Sequence, residues 1–181
     1  MDSANEDSVL IESILKGDKA SFNRIVRKYQ QRIYYLALRM MNNHHDAEDI
    51  SQETFVKAYN GLKSLREKKY FFTWLYRIAL NLCWTKKSEK RYFLGLDGIF
   101  NIQDSKAEHR VKDVEKDQIK EKIKDALKGL PKQQKAVFVL RVYENRKFGD
   151  IADVMELSVG GVKANYFNAV MKIKEKLKEI L

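Results

Sequence analysis

The chain has 181 residues, 44% of them hydrophobic and 33% charged, with 35 Lys and Arg against 25 Asp and Glu for a formal charge of +10; this is a globular composition with room for one or two buried cores. One proline and eight glycines exclude collagen-like and low-complexity chains, and one cysteine, Cys83, excludes an intramolecular disulfide or a cysteine-based zinc cluster. No apolar run approaches the roughly 18 residues of a membrane span, and the acidic start lacks the basic-then-apolar order of a signal peptide, so the expected setting is soluble and cytoplasmic.

Apolar residues recur at three-or-four spacing almost throughout, and no stretch alternates as a half-buried strand would. The expected fold is all-α: two small helical domains joined by a flexible linker, the second ending in a helix-turn-helix. The first helix, near 8–16, lies in an acidic stretch, five acids against one lysine over 1–18. Gly17-Asp18 ends it and can cap the next, near 19–42, whose stripe runs Phe22, Ile25, Val26, Tyr29, Ile33, Leu36, Met40. Asp46 is expected to cap a third helix near 46–61, with Asp49 in its positive first turn. That segment is acidic (Asp46, Glu48, Asp49 and Glu53 against Lys57), and the next, 61–92, is strongly basic.

A fourth helix near 70–93 interleaves bases with aromatics. Its stripe Phe71, Trp74, Leu75, Ile78, Leu82 reads as core, which leaves Tyr70, Thr73, Arg77, Asn81 and Trp84 on the other face. Lys68, Lys69, Lys86, Lys87, Lys90 and Arg91 can neutralise phosphates, and aromatic faces can stack on unpaired bases. Asn81 either hydrogen-bonds within the domain or reads a base. Residues 95–110 have weak periodicity and two glycines and read as a linker between domains at 1–94 and 111–181. Further helices are expected near 111–129, 131–144, 148–155 and 159–180, with Gly129-Leu-Pro131 separating the first two.

The run from Phe148 to Phe167 reads as a helix-turn-helix, with Leu157 in the turn and Ser158 capping the second helix. The face opposite that helix's apolar stripe offers Gly160, Lys163, Ala164, Phe167 and Asn168, with Asn165 and Lys172 at its edge. Lys and Asn can address guanine, adenine or phosphate in a major groove, and Gly160 and Gly161 permit close approach. An ordinary helical hairpin remains the alternative.

Taken together, Gly17-Asp-Lys-Ala-Ser-Phe22, Asp46-Ala-Glu-Asp-Ile-Ser-Gln-Glu-Thr-Phe-Val-Lys-Ala-Tyr59, Phe72-Thr-Trp-Leu-Tyr-Arg-Ile-Ala-Leu-Asn81, Leu130-Pro131, Phe148-Gly-Asp-Ile-Ala152 and Val162-Lys163 make the chain resemble a bacterial RNA polymerase sigma factor of the small extracytoplasmic-function group. The resemblance implies that Asp46, Asp49, Gln52 and Glu53 face the clamp helices of the polymerase largest subunit. It implies that the loop 62–69, with Leu65 and Arg66, holds a base flipped from the −10 element beside Asn81, and that Ser158 to Lys172 read the −35 element as duplex. It also implies an anti-sigma factor as partner, often membrane-anchored, and a linker threaded through the polymerase cleft. Neither a cofactor, a metal nor catalytic chemistry is expected.

The chain departs from the family pattern in places. Leu65-Arg66 stands where Phe-Arg is common, Asn165, Phe167 and Asn168 where arginine and histidine are, and Asn145-Arg-Lys147 where Gly-Leu-Ser/Thr is, which removes a helix cap. A dimeric helix-turn-helix repressor would explain 148–168 but leave 46–93 without a role. His44-His45-Asp46 is similar to the His-Asp pair of metal phosphohydrolases, but only His109 remains to supply another histidine ligand.

Overall fold

The computed structural model describes residues 3–96 and 122–178, and side chains within them at 5–89 and 122–178. Among the described residues every regular element is helical. The N-terminal module holds α1 (Ser3–Leu15), α2 (Lys19–Met41), α3 (His44–Gly61) and α4 (Phe71–Leu96). The C-terminal module holds α5 (122–128), α6 (Lys132–Val142), α7 (Phe148–Met155) and α8 (Val159–Lys178). The expected linker residues 97–110, the expected start of a helix at 111–121 and His109 lie outside the described residues.

Local signals account for most boundaries. Gly17 takes the left-handed φ of +101° that ends α1, a conformation without penalty only for glycine. Asp18 then caps α2: its Oδ1 accepts from the Ala20 amide at 2.9 Å and its Oδ2 from the Ser21 hydroxyl at 2.6 Å. At α3 the expectation is corrected. The cap is Asn43, whose Oδ1 accepts from the Asp46 amide at 2.9 Å, so the helix starts two residues earlier than expected. Pro131 sits at the cap position of α6 rather than inside its first turn. At α7 the missing cap is as expected, and the Asp150 carboxylate accepts from the Lys147 amide at 3.4 Å in its place.

The α2 stripe is buried as its spacing requires, through Ile25, Tyr29, Ile33, Leu36, Ala37 and Met40. It packs on α3 and α4, whose buried residues Ala47, Ile50, Phe55 and Ala58, and Phe71, Leu75, Leu80 and Cys83, belong to the same core. Helix α4 buries more than its one expected stripe. Tyr76 and Ala79 are also fully buried, because α4 is enclosed by α2 and α3 on one side and by α7 on the other. One buried cluster therefore joins both modules, adding Val137, Leu140, Ile151, Ala152, Met155 and Val162 to the N-terminal core. A smaller cluster of Ala126, Leu127, Leu130, Phe138, Ala169 and Ile173 holds α5, α6 and α8 together. Cys83 is a core thiol, and burial pushes its pKa up to about 12.

Candidate polymerase and nucleic-acid interfaces

Three surfaces gather the candidate residues. The first is the outer face of α3, where the core-facing residues Ile50, Thr54, Phe55 and Ala58 turn Glu48, Asp49, Gln52 and Glu53 to solvent. Asp49 accepts from Lys86 Nζ at 2.8 Å and meets His45 Nδ1 at 3.2 Å, and the hydrogen bond from Lys86 holds its carboxyl below the usual range. Asp46 is different from the expectation: it is only 5% exposed and faces Lys86 at 3.4 Å, so it braces α3 against α4. Lys86 is corrected with it. Two carboxylates of α3 occupy its ammonium, which the sequence reading assigned to a DNA phosphate.

The second surface lies at the start of α4. Leu62–Ser64 and Lys68–Tyr70 form two short 3-10 turns that carry the chain from α3 into α4. They frame a pocket of about 370 Å³ lined by Leu65, Arg66, Glu67, Tyr70, Thr73, Trp74, Arg77 and Asp153. Trp74, read from its spacing as core, is a half-buried wall of this pocket. Gly61 lets it sit there, since a Cβ at 61 would lie 3.2 Å from the indole Cζ2. Tyr70 is exposed, and Lys69 lies 4.8 Å above its ring. Lys68 is tied to Glu12 of α1 at 3.0 Å. Asn81 is exposed one helical turn beyond Arg77 and is not part of the lining. Trp84 is half-buried, with Lys132 of α6 5.4 Å above its ring, so it packs between modules rather than lining the pocket. Lys87 is partly exposed on α4. The side chains of Lys90 and Arg91 lie outside the described residues.

The third surface is the start of α8. Ser158 Oγ accepts from the Gly161 amide at 3.0 Å, which is the expected cap. Gly160, Lys163, Ala164, Phe167, Asn168 and Lys172 are exposed on one face, and Phe167 is 63% exposed. Asn165 at the edge and Gly161 at the helix start differ from expectation. The Asn165 amide donates to the Gly161 carbonyl at 2.9 Å, within its own helix. Gly161 is half-buried behind the cap, where a Cβ would sit 3.3 Å from Ser158 Oγ. The residues that suggested metal chemistry are otherwise engaged. His44 Nδ1 meets the Tyr34 hydroxyl at 2.7 Å and His45 meets Asp49.

Sequence reasoning missed the residues that join these surfaces. Tyr76, Glu144 and Arg146 carried no signal beyond the family-pattern departure at 145–147. No described helix is long and apolar enough to cross a membrane.

Comparison with known proteins identifies the family. Residues 25–91 match the model of sigma-70 region 2, and residues 120–173 that of sigma-70 region 4. The chain is 33% identical to the RNA polymerase sigma-H factor of Pseudomonas aeruginosa, over 97% of this chain and 96% of that protein. It is 30% identical to the ECF RNA polymerase sigma-E factor of Haemophilus influenzae, over 97% of each, and 30% identical to the ECF sigma factor SigW of Bacillus subtilis, over 94% and 96%. Its fold is that of CnrH in a complex with the cytosolic domain of CnrY (TM-score 0.72, 21% identity, 96% of this chain and 98% of that one). It is also that of the sigma factor RpoE in a complex with the anti-sigma factor NepR from Bartonella quintana (TM-score 0.70, 22% identity, 87% and 96%). The chain thus belongs to the sigma-70 family, in its extracytoplasmic-function group, and is a sigma factor that recognises promoters for transcription initiation by RNA polymerase.

Proposed function

We propose a division of labour between the two modules. The N-terminal module, 1–94, docks on core polymerase through Asp49, Gln52 and Glu53 and captures an unstacked base of the −10 element in the pocket at the head of α4. The C-terminal module, 111–181, lays the exposed start of α8 in the major groove of the −35 element. The single observation that carries this reading is the convergence of Leu65, Arg66, Tyr70, Thr73, Trp74 and Arg77 on one pocket with aromatic walls and a cationic rim. Unstacking costs a few kcal/mol per base, and stacking on an aromatic side chain returns roughly 1–3 kcal/mol.

The protein supplies address and strand separation, and the polymerase does the chemistry, in the cytoplasm where it works. Solved relatives are bound to the cytosolic domain of CnrY or to the anti-sigma factor NepR, which supports an anti-sigma factor as a partner here too. Holoenzyme carrying Lys163→Ala should bind promoter duplex several-fold more weakly, with a salt slope reduced by about 1. Arg66→Ala should leave that binding intact and cut open-complex formation, read by permanganate reactivity. Equal losses in both assays for both variants would contradict the division.

A further inference from the structure

The outer face of α3 is braced by a side chain from α4. Asp46 and Asp49 stand three residues apart on α3, a spacing at which like charges on a helix oppose each other. Lys86 of α4 lies between them, its Nζ 2.8 Å from Asp49 Oδ2 and 3.4 Å from Asp46 Oδ1. Exposure rises outward through the trio: the Asp46 side chain is 7% exposed, that of Lys86 26% and that of Asp49 47%. Burial opposes the Lys86 charge, but the hydrogen bond to Asp49 and the charges of both carboxylates outweigh it and hold its pKa above the ordinary lysine value.

Both contacts of Asp49 fall on one oxygen. Its Oδ2 accepts from Lys86 and meets His45 Nδ1 at 3.2 Å, so Oδ1 keeps its acceptor sites for a partner. A carboxylate already fixed in one rotamer loses less freedom on docking than a loose one. Two carboxylates and one ammonium leave the trio net negative, so Lys86 orients Asp49 without cancelling the charge offered to a basic partner. The same two carboxylates repel a phosphate, which makes Lys86 a poor DNA contact.

We propose that Lys86 is a positioning residue for polymerase docking: from α4 it fixes Asp49 on the outer face of α3, with Asp46 as the buried anchor. The proposal rests on the reading of that face as the polymerase-docking surface.

The test measures the affinity of the full chain for core polymerase, by competition with labelled parent chain. Lys86→Met should weaken it about five-fold, and Lys86→Arg should return it to the parent value. Asp49→Asn should weaken it by itself, and adding Lys86→Met should cost nothing further, because Lys86 acts through Asp49. Preformed holoenzyme carrying Lys86→Met should bind promoter duplex with the parent salt slope. Lys86→Met leaves Asp46 without its ammonium, so the same comparison on an Asp46→Asn background decides if Lys86→Met alone fails to fold. Parent affinity in Lys86→Met, additive losses in the double variant, no rescue by arginine, or a salt slope reduced by about 1 would overturn the assignment. If Asp49→Asn binds core as the parent does, the docking reading of α3 fails with it; if Asp49→Asn weakens binding and Lys86→Met does not, only the role of Lys86 fails.

Discussion

Lys135 is the least expected single residue. It is nearly fully buried on α6 and donates to the Met40 carbonyl at the end of α2 at 3.0 Å. Burial lowers its pKa to about 8 from an ordinary 10.5, helped by Lys87 on α4 and Lys128 on α5 and opposed by Cys83. The folded chain therefore gives up this proton near pH 8, while the unfolded chain holds it until about 10.5. Where the unfolded state binds more protons, stability rises with pH. Denaturant titrations should show the parent gaining about 1–3 kcal/mol relative to Lys135→Met between pH 8 and 10.5, a full proton being worth about 1.4 kcal/mol per pH unit. A difference that is flat with pH would show Lys135 to be hydrated. The comparison with the Met variant removes the opposing contribution of Cys83, whose raised pKa lowers stability above pH 9. A charged residue in an amphipathic helix reads as surface, so the sequence carried no sign of this burial.

Among the elements, α8 depends most on one side chain. Its first turn begins Val159-Gly160-Gly161, poor helix formers that leave nucleation to the Ser158 cap. Ser158→Ala should cost about 1 kcal/mol and lower the melting midpoint by roughly 2–4 °C. Amide exchange should speed up at 159–163 while α6 and α7 stay protected; uniform acceleration would mean the cap holds the module rather than the recognition helix. This cap was legible, as were the α2 stripe and the α8 face, because each is a local pattern of three to four residues. Helix α4 was less so. Its periodicity showed one apolar stripe, but a helix enclosed on two sides also buries Tyr76 and Ala79, which no single-stripe pattern reveals. Lys86 read as a phosphate contact because its partners, Asp46 and Asp49, are distant in sequence and adjacent only after α3 packs on α4. The α3 cap was displaced because Asn43 and Asp46 are both good cap residues, and the chain uses the earlier one.

At the scale of the molecule, the two modules are individually as expected and their contact is not. The composition shift at 95–110 signalled two units, and nothing in it indicated that they share a buried cluster. The shared surface mixes apolar residues with Glu144, Arg32, Arg77 and Lys135. Two linked weak DNA sites bind at a set spacing far more tightly than either alone. In vitro transcription of host genomic DNA by sigma-free core polymerase, with 5′ ends mapped, tests this most directly. Adding the chain should create a set of start sites preceded by two short motifs at a fixed separation, absent when it is left out; a full range of concentrations that yields no new start site would contradict it.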